Sequence, residues 1–111
     1  MPLFAVIRTY GGAWQPGVSL EGQRAWREHA QFMNALEAEG VVLSGGPLEE
    51  TPDVLLVICA NGEEEIRTRL SGDPWTSLDL LRIRSIARWT LRLGTLPARS
   101  RTANTEENTT A

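Results

Sequence analysis

Residues 53–60, DVLLVICA, form a nearly continuous apolar run of strand length. Such a run fits a central strand covered on both faces, so the rest of the chain has to supply its neighbours and its cover. Upstream, LFAVIRTY at 3–10 is rich in β-branched and aromatic residues and stops at Gly11-Gly12, which predicts a first strand. Residues 11–19, with three glycines and Pro16, read as a loop ending on Ser19, an N-cap for a helix over Leu20–Glu39. Within that helix Ala25, His29, Phe32, Met33 and Leu36 recur at three- and four-residue steps and mark its inward stripe. Gly40 stands where a left-handed C′ residue ends a helix. Val41–Leu43 begin a second strand, stopped by Gly45-Gly46-Pro47.

Downstream of the apolar run, Asn61 reads as the cap of a second helix, with Glu63, Glu64 and Glu65 in its first turn and Ile66 and Leu70 on its apolar side. Ser71-Gly72 end that helix, and Pro74 holds Asp73 on an extended segment. Over 80–93 a period of two puts Leu81, Ile83, Ser85, Ala87, Trp89 and Leu91 on one face and Arg82, Arg84, Arg88 and Arg92 on the other. The order is therefore βαββαβ, the split βαβ of a ferredoxin-like α+β domain. Right-handed crossovers put both helices on one face of a four-stranded antiparallel sheet. The other face is left bare, and a second subunit is the usual cover, so a homodimer is expected.

A chain of 111 residues makes one domain with a modest core. The folded unit is expected over 1–94, followed by a polar tail over 95–111 with almost nothing to bury. No apolar run approaches the ~20 residues that span a bilayer, and no signal peptide is visible at MPLFAVIRTY. Cys59 is the only cysteine, which excludes an internal disulfide and suits a reducing cytoplasm. Its place inside VLLVICA fits a buried, inert thiol. Every basic residue is Arg, so a Schiff-base lysine, a covalent pyridoxal phosphate and a P-loop lysine are all excluded. The net charge of −3 gives no general attraction to nucleic acid, although the stretch after Asp79 carries six Arg before the next acid.

Few residues are equipped for chemistry. His29 is the sole histidine, which rules out a two-histidine metal site. Position alone allows a packed helix histidine or a proton carrier suited to neutral pH. Asp73 reads either as a turn aspartate bonding its own backbone or as a carboxylate orienting His29. Gly45, Gly46 and Pro47 either end a strand or let backbone N–H groups approach a ligand closely. Arg82 and Arg84 line an ion-paired strand face, or bind a substrate carboxylate if that face borders an inter-subunit cavity. Trp75 and Trp89 read as core or interface packing.

His29, LEAEGVVLSGGPL at 36–48, LSGDPWTSLDLL at 70–81 and RIRSIARW at 82–89 together resemble a YCII-related (YciI-like) domain over roughly residues 3–93. The resemblance implies a ferredoxin-like dimeric α/β barrel with a pocket near the dimer interface. It also implies a His–Asp pair at His29 and Asp73, with Gly45, Gly46 and Pro47 beside it. One branch of the family, similar to muconolactone-type dehalogenases, removes chloride from a small lactone acid. The glycine-rich loop at 11–17 and the Arg face of the last strand stand outside the family's pattern. The expectation is a cofactor-free lyase or isomerase moving a proton on a small carboxylate-bearing molecule. The alternative is a non-catalytic metabolite-binding or regulatory dimer.

Overall fold

The structure, a computed structural model, describes residues 1–96; all of the expected tail beyond Leu96 lies outside the described residues. Strand β1 (Leu3–Tyr10) leads through a loop and a 3-10 turn (Leu20–Gly22) to α1 (Trp26–Ala38). Then follow β2 (Val42–Pro47), β3 (Asp53–Cys59), α2 (Glu63–Leu70), the one-turn α3 (Pro74–Ser77) and β4 (Leu81–Trp89). All strand pairs are antiparallel in the order β2-β3-β1-β4, the ferredoxin-like α+β arrangement. The apolar run at 53–59 is an interior strand, bonded by β1 on one side and β2 on the other.

The sheet has two unlike faces. Phe4, Val6, Leu56 and Ile58 point to one, where they form a core with Leu36 of α1 and Ile66 and Leu70 of α2. A second cluster of Trp75, Leu80 and Leu81 gathers Tyr10, Trp14, Leu20 and Trp26 at one end of that face. On the opposite face, Leu3, Ala5 and Ile7 stand in register with Cys59, Val57 and Leu55 on β3 and with Trp89, Ala87 and Ser85 on β4. No helix of the described residues lies over that row, and Trp89 is 37% exposed there. Among the described residues no helix is long and apolar enough to cross a membrane.

Several elements differ from expectation for identifiable reasons. The expected helix from Leu20 to Glu39 is broken, because Ala25 adopts a left-handed conformation (φ 58°) and resets the chain direction before Trp26. Ser19 caps the 3-10 turn instead, its hydroxyl accepting from the Gly22 N–H. The far end is as expected: Gly40 is left-handed, its N–H reaching the Glu37 carbonyl while that of Val41 reaches Leu36, a Schellman closure. Asn61 does not cap α2. Gly62 occupies the cap position, and the Asn61 N–H is taken by the Glu65 carboxylate. Strand β2 runs through Gly45-Gly46-Pro47 rather than ending at it. In β4 the strict alternation fails, because the register shifts opposite Ile7 and Arg8 and skips Arg84. Leu81 and Ile83 accordingly face the helices, while Ser85, Ala87 and Trp89 face away from them.

Candidate active site

Three elements meet at one carboxylate. Asp73 has the extended backbone that a residue before proline requires (φ −71°, ψ 126°). Its Oδ1 accepts the Trp75 N–H at 2.9 Å, capping α3. The same carboxylate receives His29 Nδ1 from α1, at 2.9 Å to Oδ2 and 3.0 Å to Oδ1. It also receives the Arg8 guanidinium from β1, at 2.8 Å to Oδ2. The turn role and the long-range role of Asp73 are therefore held by one side chain. A carboxylate has about four acceptor positions, enough for all these donors. The second terminal nitrogen of Arg8 donates to Thr76 Oγ1 at 2.8 Å, and that hydroxyl donates to the Leu70 carbonyl. Arg8 and Asp73 are both completely buried.

The His29 ring lies flat on Trp75, with ring centres 3.8 Å apart and planes 6° from parallel. Trp75 is itself fully buried, and its indole N–H donates to the Arg24 carbonyl. The imidazole thus has one face and one nitrogen fixed. Burial pushes the Asp73 carboxyl up, the largest single influence on it. Hydrogen bonds from His29, Arg8 and the Trp75 N–H, with a smaller charge interaction with His29, together outweigh burial and hold it below its ordinary value. The carboxylate is therefore ionised at neutral pH and can only accept, so Nδ1 carries the proton toward it. In the neutral ring this leaves the lone pair on Nε2. Nε2 has no hydrogen-bond partner among the described residues, and His29 lines a cavity of about 260 Å³. A ring held in this way can accept or return a proton at Nε2.

The cavity is lined by residues of both apolar clusters, Trp14, Trp26 and Trp75 from one and Met33, Val42 and Leu56 from the other. Gly45, Gly46 and Pro47 of β2 also line it. A Cβ on Gly45 would come within 2.6 Å of Leu56 Cδ2, so packing against β3 accounts for that glycine. A Cβ on Gly46 would meet nothing within 4 Å.

Arg82 and Arg84 are not brought to the cavity. Arg82 grips Asp79 through Nε and a terminal nitrogen, at 2.7 and 2.8 Å, and Arg84 reaches Asp53 at 2.7 Å. Both are exposed and paired with acids of their own chain, as on an ion-paired strand face. Cys59 sits at the end of β3 on the open face, outside the cavity lining. Arg8 belongs to the site and was not expected there. Its signal is parity: it follows Phe4 and Val6 on the inward side of a short strand, where an arginine needs a buried partner.

No protein-family model matches the chain, and no curated protein matches it. Among solved structures the fold matches 5-chloro-2-hydroxyhydroquinone dehydrochlorinase (TftG) from Burkholderia phenoliruptrix AC1100, in complex with 2,5-dihydroxybenzoquinone. The match has a TM-score of 0.55 and 20% sequence identity, covering 83% of this chain and 95% of that one. At this identity the likeness carries the architecture.

Proposed function

We propose that this chain is a cofactor-free small-molecule enzyme of the lyase or isomerase kind, related to YCII domains, in which His29 moves a proton. One observation carries the reading: an imidazole with Nδ1 committed to a buried carboxylate and Nε2 left unpartnered on a cavity wall. In it His29 is the general base or acid, Asp73 fixes its tautomer, and Gly45, Gly46 and Pro47 border the bound molecule. The fold neighbour's dehydrochlorinase activity is in keeping with such chemistry, since elimination needs a base for the departing proton. Because His29 is the only histidine, one imidazole gives the whole ring-nitrogen signal in a ¹⁵N NMR spectrum. The neutral ring is expected in the Nδ1–H form in the wild type and to lose that preference in Asp73→Asn. Identical spectra for the two proteins would remove the dyad and the mechanism with it.

In the same reading the open sheet face is covered by a second copy. Leu3, Ala5, Ile7, Leu55 and Val57 form a continuous apolar strip there, bordered by Trp89. Light scattering is expected to give twice the chain mass at micromolar concentration, and the single-chain mass for Trp89→Arg. A monomeric wild type would refute the pairing and leave the dyad untouched.

A further inference from the structure

The chemistry of the cavity walls restricts what His29 can act on. Among the described residues, three capable of carrying charge line the cavity: Arg8, His29 and Glu37. The two terminal nitrogens of Arg8 are spent on Asp73 and Thr76, and its Nε has neither a partner nor exposed surface. Its positive charge is answered by Asp73, so beside a neutral His29 ring, the form that accepts at Nε2, the described lining residues offer an anion no free cation. Glu37, exposed on the last turn of α1, adds a negative charge at the lining. An anionic group entering here would lose water and find no counter-charge in return.

The remaining wall is largely apolar and includes three indoles, one of which, Trp14, comes from the glycine-rich loop. Trp14 stacks on Tyr10 with ring centres 3.9 Å apart and planes at 6°, and meets Trp75 edge-on at 5.5 Å. The loop behind it is pinned at both ends. Gly11 lies so close to Asp79 that a Cβ there would fall 2.2 Å from its carbonyl oxygen. The buried Gln23 side chain accepts the Gln15 N–H and donates to the carbonyls of Gln15 and Val18. Trp14 is thus a fixed wall, and Trp26 and Trp75 are the indoles that flank His29.

We propose that the cavity takes a flat, uncharged ring bearing a hydroxyl group, and that Trp14 is the residue that selects for flatness. The proposal rests on the reading of His29 above, whose Nε2 is the acceptor for that hydroxyl. It replaces a carboxylate-bearing substrate as the class to seek. A flat ring of this kind gains aromatic contacts that a puckered ring of the same size does not.

The full chain carries four tryptophans, and Trp89 on the open face is an internal control for the three that line the cavity. Phenol, cyclohexanol and benzoate are titrated separately while the four indole N–H signals are followed by ¹H–¹⁵N NMR. Fragments this small bind weakly, so the titrations run to tens of millimolar. Phenol is expected to move the Trp14 and Trp26 signals and spare Trp89. Its affinity should exceed that of benzoate by about tenfold or more, the equivalent of one uncompensated charge contact. Trp14→Ala should weaken phenol by about three- to tenfold, the worth of an aromatic pair, and leave cyclohexanol unchanged. Trp14→Leu carries the same comparison if the alanine variant does not fold. Benzoate binding as tightly as phenol, cyclohexanol matching phenol in the wild type, or no movement at Trp14 and Trp26 would each overturn the proposal. Phenol bound as expected beside an imidazole indifferent to Asp73 would sink the proton-transfer reading alone.

Discussion

Asp73→Ala is expected to destabilise the fold by about 3–5 kcal/mol, because it strands a fully buried guanidinium without its counter-charge. The substitution also removes the N-cap of α3, worth about 1 kcal/mol in comparable helices. A domain of this size has roughly 5–15 kcal/mol in all, so most of the margin is lost. The result should depend on Arg8 rather than on the loss of a carboxylate as such. Arg8→Met in the Asp73→Ala background removes the stranded charge, so the double variant should be more stable than Asp73→Ala alone. Urea denaturation of the wild type, both single variants and the double variant reads this directly. Strictly additive losses would mean that Arg8 and Asp73 are neighbours without coupling.

The same carboxylate sets a pH signature. Its folded pKa lies below the ordinary aspartate value of 3.8, so the unfolded chain binds the proton more readily. Stability from this group is therefore complete above the unfolded value and is lost as pH falls through the folded one. Denaturation midpoints should drop as pH falls below about 4, and Asp73→Asn should show a shallower slope over that range. Asp79 has its carboxyl lowered by the Arg82 hydrogen bond and contributes with the same sign, but both groups are exposed and screened.

The order of elements was legible in the sequence because each signal is local. The apolar run at 53–59 reads as an interior strand, and Gly40 stops α1 where a left-handed residue is needed. The break at Ala25 was not legible, since alanine is a good helix former and nothing in its side chain announces a left-handed backbone. The face assignment of β4 failed for a related reason: one skipped residue at Arg84 exchanges the two faces, and the alternation on either side of it looks intact. His29 and Asp73 are 44 positions apart, and no spacing rule brings them together; side-chain chemistry offered the pair as one alternative, and the family resemblance favoured it. Arg8 completes the network from 65 positions away. Its inward parity beside Phe4 and Val6 was visible in β1, but an arginine among so many others carries little weight until its partner is known. The acid that occupies Arg82 is three residues upstream, whereas the one that occupies Arg84 lies on β3 and is out of reach of any local reading.

Trp75→Ala should cost about 3–5 kcal/mol, as deletion of a fully buried aromatic side chain generally does. Three losses add here. The indole fills the end of the sheet against Trp14 and Trp26, its N–H answers the Arg24 carbonyl, and its face supports the His29 ring. The void would open beside an existing cavity, so relaxation around it has little to draw on. At some 4–8 °C per kcal/mol for a domain of about this length, the melting temperature should fall by roughly 12–40 °C. Trp75→Phe separates the contributions. It keeps most of the packing and a ring face for His29 but cannot donate to Arg24, and should cost about 1–2 kcal/mol. Thermal melts of the two variants test the stability argument. The imidazole spectrum of Trp75→Phe tests the other half: His29 should keep its Nδ1–H form, because the tautomer is set by Asp73 and the ring face only steadies it. A phenylalanine variant that melts with the alanine one would mean that the indole N–H, and not the packing, holds this end of the sheet together.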